Sequence, residues 1–144
     1  APYAVFDCAD GWIILATGND AQYQRLCGIL GQKDLATGPE YLTNADRIAN
    51  RVALTAAITE KTQGWRKADL LAACEADGVP AGPINDLSEV FTDPQVVARR
   101  MKVELDGIPS VRSPFTFTGA ELALERASPK LGEHDAEVRA GLKG

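Results

Sequence analysis

Residues 3–17 read "YAVFDCADGWIILAT" and residues 18–31 follow as "GNDAQYQRLCGILG". The first stretch holds two apolar, strand-like runs, Tyr3–Cys8 and Trp12–Thr17, around Ala9-Asp10-Gly11. Asp-Gly between two such runs is a hairpin signal. The second stretch changes period. Asn19 with Gln22 three residues later has the form of a capping box. Tyr23, Leu26, Cys27 and Leu30 then fall at i, i+3, i+4 and i+7, one face of a helix. Gly31 stands where a glycine ends a helix in the left-handed conformation. A hairpin feeding a capped helix sets the character of the fold.

The same logic carries on outward. The spacing predicts a helix over "TNADRIANRVALTAAITEKTQ", residues 43–63, with Ile48, Val52, Thr55 and Ile58 along one side. It predicts another over "WRKADLLAACEADG", with Trp65, Ala68, Leu71 and Ala72 on one face and a stop at Gly78. "VPAGPIN" is extended, because Pro80 and Pro83 bias the residues before them out of the helical region. Asp86 with Glu89 is a second capping-box pair. Pro94 suits the first turn of a further helix. The alternations in "KVELDG" (102–107) and "FTFTG" (115–119) read as half-buried antiparallel strands. The order is β-β-α-α-α-α-β-β plus a C-terminal tail. Strands grouped at both ends with a helical middle define an α+β domain.

The totals exclude several classes of function. The chain has 144 residues, a formal net charge of −5 and 24% charged residues. A mildly acidic chain without a basic face is a poor partner for nucleic acid or a membrane surface. Its apolar runs are too short for a membrane span, and no signal peptide is visible. Cys8, Cys27 and Cys74 are widely spaced, odd in number and form no CxxC pair. They read as reduced core residues of a cytoplasmic protein rather than zinc ligands. The chain does not start with methionine and runs at once into a strand. The expectation is a piece of a longer or processed protein, or a chain whose initiator methionine was removed.

Few constellations carry chemistry. No Gly-rich phosphate loop joins a strand to a helix, and no GxSxG elbow occurs. Glu75 and Asp77 read as a solvated helix end. Asn19-Asp20 opens the first helix directly after a strand. N-capping is its first reading; lining a cleft at a helix N-terminus is the second. Arg47 and Arg51, four apart, suit bidentate anion contacts, but a salt-bridge face with Asp46 or Glu60 is the favoured reading. Arg99, Arg100 and Lys102 are the one basic cluster and read as helix-end cations. His134, the sole histidine, lies between Glu133 and Asp135. It has an acid–base pKa range but needs a pocket and an orienting partner.

Four strings taken together resemble the C-terminal part of family III CoA-transferases, the CaiB/BaiF family. They are "DGWIILATGNDAQYQRLCGILG", "TNADRIANRVAL", "DGVPAGPINDLSEVFTDPQVVARRM" and "SPKLGEHDAEV", in that family's order and approximate spacing. The resemblance implies a small domain over residues 1–118 and a return segment over 119–144 that docks on a large domain lying outside this chain. It implies an enzyme moving coenzyme A from an acyl-CoA to a free carboxylic acid through aspartyl covalent intermediates. The nucleophilic aspartate and a shielding glycine-rich loop would lie outside residues 1–144, so no catalytic residue is assigned here. It implies CoA thioesters as substrates, no permanently bound cofactor or metal, and an interlocked homodimer.

Two alternatives remain. One is an α-methylacyl-CoA racemase or epimerase, a branch that carries an acidic residue near the start of the first small-domain helix. "GND" at that place is more like the transferases, which makes Asn19 and Asp20 the candidate neighbours of an active site. The other is a scaffold or dimer-interface module with no activity of its own. By this resemblance His134, with Glu133 and Asp135, belongs to the returning tail rather than to a catalytic centre.

Overall fold

The computed structural model describes residues 1–142; the last two residues of the expected return segment, 119–144, lie outside them. The fold is α+β, with antiparallel strands toward both ends and helices between. The chain divides into two compact units, Ala1–Asn85 and the residues from Asp86 on.

The first unit holds β1 (Tyr3–Cys8), β2 (Gly11–Ala16), α1 (Asp20–Ile29), α2 (Lys33–Thr37), a 3-10 turn (Pro39–Tyr41), α3 (Asn44–Ala49), α4 (Arg51–Thr62), α5 (Lys67–Ala76) and β3 (Ala81–Ile84). The strands form one antiparallel sheet in the order β1-β2-β3. The register pairs Phe6 with Ile13, so both face the core, where Leu15 joins them fully buried. The alternate residues Tyr3, Val5, Trp12 and Ile84 lie on the exposed face. α4 packs on β1, and α5 packs on β2 and β3.

α1 forms with the buried face its sequence predicts, but the capping box is not closed on Asn19, since the Gln22 side chain takes the N–H of Gly18 instead. Tyr23, Leu26, Cys27 and Leu30 are all buried. Asn19 accepts from the Gln22 backbone N–H at 2.9 Å, while the Gln22 side chain accepts from Gly18 N–H at 2.7 Å. The helix closes on Gly31 at φ +66°, with Gln32 N–H donating to the Cys27 carbonyl at 2.8 Å and Gly31 N–H to Gly28 at 3.1 Å. This pair of bonds satisfies carbonyls that the helix end would leave unpaired. α5 ends in the same way on Gly78, φ +64°, with Val79 N–H on the Cys74 carbonyl at 2.8 Å.

The helix over residues 43–63 is divided. Thr43 and Asp46 form a capping box that starts α3, and Asn50 separates α3 from α4. The break changes the buried stripe. Leu54, Ile58 and Thr62 face the core, whereas Ile48 and Val52 are 57% and 82% exposed. In α5 the buried residues are Leu70 and Cys74, one position out of phase with the predicted face. Trp65 and Leu71 are half-buried against the core; Ala68 and Ala72 are exposed. β3 takes up the extended "VPAGPIN" and pairs with β2, with Ile13 opposite Pro83.

The second unit holds α6 (Leu87–Thr92), α7 (Pro94–Ala98), β4 (Lys102–Leu105), β5 (Ile108–Val111) and α8 (Asp135–Gly141). The Asp86–Glu89 capping box is formed in both directions, at 2.9 and 2.8 Å. β4 and β5 make a two-stranded hairpin across Asp106 and Gly107, both with positive φ. Two such residues make the tight turn whose twist matches paired strands, so Ile108–Val111 becomes the partner of β4. The alternating "FTFTG" is then left without a strand to pair with and is irregular. Of the described residues 86–142, none is buried.

Candidate functional site

The end of β2 runs through Thr17 and Gly18 into the cap of α1, placing Asn19 and Asp20 at a strand-to-helix junction. Thr17 is buried, and both its N–H and its hydroxyl donate to the Pro2 carbonyl at 3.0 Å. Asn19 spends its side-chain oxygen on the helix cap. Asp20 is the exposed acid of the first turn, with its side chain 62% accessible.

Asp20 meets Arg47 of α3, and this pair is the organising feature of the junction. The Arg47 side chain is 1% exposed, and it is the only charged side chain among the buried described residues. Its Nη2 donates to Asp20 Oδ1 at 2.5 Å. Its Nε donates to the Ala1 carbonyl at 2.7 Å, and its Nη1 donates to the carbonyls of Tyr41 and Leu42 at 2.9 and 3.1 Å. The guanidinium carbon lies 4.3 Å over the Tyr23 ring. A desolvated guanidinium needs partners on every side of its planar fork, and the chain supplies three carbonyls, one carboxylate and one aromatic face. Burial pushes the Tyr23 hydroxyl well above the ordinary tyrosine range, and the hydroxyl donates to the Leu35 carbonyl at 2.7 Å.

This geometry revises the reading of the two arginines. They do not share a face. Asn50 lies between them, so Arg47 is sealed in the core while Arg51 is exposed. The partner of Arg47 is Asp20, not Asp46 or Glu60; Asp46 caps α3 through Thr43, and Glu60 pairs with Lys61 at 2.7 Å. The Thr43-x-x-Asp46 pattern was the available clue, because it marks where α3 starts. Nothing in the sequence pointed to Asp20 across 27 positions.

The other candidates are dispersed. Arg99 and Arg112 border a cavity of about 310 Å³ with Met101 and Ser113, Arg100 borders a different one with Phe115 and Phe117, and Lys102 is exposed on β4. His134 is half-exposed at the start of α8, its Nδ1 3.7 Å from Glu137. Glu133 accepts from the Lys130 backbone N–H at 2.7 Å, and Asp135 begins the helix. Among the described residues no three His, Cys, Asp or Glu side chains are grouped to hold a metal, and no helix is long and apolar enough to cross a membrane. The thiols are held neutral. Burial raises Cys8 and Cys27 above the usual range and lifts Cys74 to about 11.

Against known proteins, residues 1–135 match the model of CoA-transferase family III. The chain is 49% identical to the succinate–glutarate CoA-transferase of Agrobacterium fabrum, covering 99% of this chain and 37% of that protein. It is 35% identical to the acetyl-CoA:oxalate CoA-transferase of Acetobacter aceti, covering 96% and 36%. The crystal structure of a CaiB/BaiF family protein from Brucella suis superposes with a TM-score of 0.85 at 48% identity, covering 99% of this chain and 38% of that one. A hairpin, a capped helix and this succession of strings over almost the whole length place the chain in one class: it belongs to CoA-transferase family III. It spans little more than a third of the length of these relatives.

Proposed function

We propose that the protein containing this chain transfers coenzyme A from an acyl-CoA to a free dicarboxylic acid, with succinyl-CoA and glutarate as the first pair to test. The observation that carries this reading is the 49% identity, over 99% of the chain, to a relative named for succinate and glutarate. The finer assignments below follow from the family resemblance.

A carboxylate and a thioester exchange CoA slowly when they simply meet, and covalent catalysis divides the exchange into easier steps. An aspartate outside residues 1–144 attacks the thioester carbonyl and expels the CoA thiolate, leaving a mixed anhydride. The thiolate attacks the aspartyl carbonyl and releases the donor acid, giving an aspartyl-CoA thioester. The acceptor carboxylate then reverses both steps and leaves as the new acyl-CoA. Every bond broken is matched by one formed, and no cofactor is consumed. Water must be kept away throughout, because anhydride and thioester both hydrolyse.

In this reading the chain contributes a wall of the site and a docking surface, not the nucleophile. Asn19 and Asp20 stand at the wall. Residues 1–118 are the small domain, and residues 119–144 return to the large domain. The exposure of Leu131, Val138 and Leu142 supports a covering surface elsewhere in the protein. The intact enzyme is an interlocked cytoplasmic homodimer.

The test uses the full-length protein and the 144-residue chain side by side. Succinyl-CoA and glutarate are mixed with each, and glutaryl-CoA is followed by chromatography. Turnover by the full-length protein alone supports the reading. Turnover by the chain alone would place the nucleophile within residues 1–144 and overturn it. A full-length protein that moves no CoA between any acyl-CoA and dicarboxylate would overturn it too.

A further inference from the structure

We propose that Arg47 is a positioning residue for Asp20, locking the carboxylate at the start of α1 into one orientation before any substrate arrives. The proposal rests on the reading of Asp20 as a wall residue of the active site.

Three observations carry it. First, the guanidinium is fixed without help from Asp20. The carbonyls of Ala1, Tyr41 and Leu42 hold Nε and Nη1, and the Tyr23 ring covers one face. Only Nη2 reaches a carboxylate, so Asp20 is the group being aimed rather than the group doing the aiming. Second, the pair is asymmetric. A counter-ion that served only to neutralise a buried arginine would gain from being buried with it, since low dielectric strengthens the attraction. Asp20 instead stays 62% exposed, with one oxygen on Arg47 and the other without a protein partner among the described residues. Third, a buried charge is weak support for stability, because a well-packed apolar side chain does as well or better. What the arginine adds is direction: a rigid fork with one donor aimed at one oxygen.

The three carbonyls come from two separate segments, the lead-in to β1 and the turn before α3. Arg47 therefore sets the position of Asp20 relative to both at once. A lysine at this position keeps the charge but has no fork, so it cannot hold the same set of bonds.

The experiment uses the full-length enzyme with Arg47→Lys, Asp20→Asn and the double variant, measuring kcat and KM for acyl-CoA and acceptor acid below the melting temperature of each. Asp20→Asn keeps an acceptor oxygen for Arg47 and so spares the packing. The expected result is a kcat loss on the order of ten- to a hundredfold for each single variant, with little change in KM. The double variant should be no slower than the slower single one, because both changes act through one carboxylate. Independent, multiplying losses would mean that Arg47 acts by general stabilisation, and would overturn the proposal. So would wild-type kcat in Arg47→Lys beside a slowed Asp20→Asn. If Asp20→Asn itself keeps full kcat and KM, the wall reading fails first and the positioning role falls with it. Should Arg47→Lys not fold, Tyr23→Leu, which removes the aromatic cover and the hydroxyl on the Leu35 carbonyl but leaves every Arg47 donor in place, takes its place with the same outcomes.

Discussion

Asp10, in the turn between β1 and β2, accepts a hydrogen bond from the backbone N–H of Lys67 at 2.7 Å. The acid thus sits on the first turn of α5, across 57 residues, and Ala9 N–H reinforces the join by donating to the Trp65 carbonyl at 2.9 Å. A carboxylate at a helix N-terminus satisfies an orphan donor and meets the positive end of the dipole. The Lys67 bond is the chief reason that the Asp10 carboxyl is held below its ordinary range, with Arg66 adding to it. A lowered folded pKa means that the carboxylate stabilises the fold fully above the unfolded value and loses that effect as pH falls through the folded one. Asp10→Ala should therefore lower the melting temperature at pH 6, and the gap to wild type should narrow as pH is taken toward 2. Thermal melts by circular dichroism across that range check it; a gap that widens in acid would contradict the assignment.

The phase of α4 gives a second test. Leu54→Ala removes a fully buried side chain and should cost about 2–5 kcal/mol in urea unfolding. Val52→Ala, two positions away, should stay within about 0.5 kcal/mol of wild type because its side chain faces out.

Gly31 separates conformational from steric cost. A β-carbon there would meet nothing within 4 Å, yet φ is +66°. Gly31→Ala should destabilise by about 1–2 kcal/mol through backbone strain alone, read from the denaturation midpoint. An unchanged midpoint would mean that α1 ends without the left-handed residue.

The cysteines make a chemical prediction. Thiolate is the reactive form, and burial disfavours it at all three sites. At pH 8 Cys27 and Cys74 should resist a thiol-specific disulfide reagent in the folded protein, with Cys8, half-buried, reacting slowly. All three should react at once in denaturant. Fast labelling of Cys74 in the folded state would show that α5 opens.

Local signals were readable wherever neighbours in sequence are neighbours in space. The first hairpin, the buried face of α1, the glycine stops at Gly31 and Gly78 and the Asp86–Glu89 box all depend on residues a few positions apart. The α4 stripe was misread because Asn50 interrupts the helix, and one break resets which side chains share a face. "FTFTG" alternates as a strand does, but a strand also needs a partner, and the Asp106-Gly107 turn gave that place to Ile108–Val111. The candidate site was half legible. Asn19 and Asp20 could be found from their place after a strand, but the arginine that holds Asp20 comes from 27 residues away and is recognised only once the fold is known.

The second unit has shape but no interior. With nothing buried between residues 86 and 142, its hairpin and short helices keep little free energy of their own. Their amides should exchange with deuterated solvent long before those of Leu26 or Leu54. Substituting Phe115 or Phe117, both exposed, should then cost no more than about 0.5 kcal/mol in unfolding free energy.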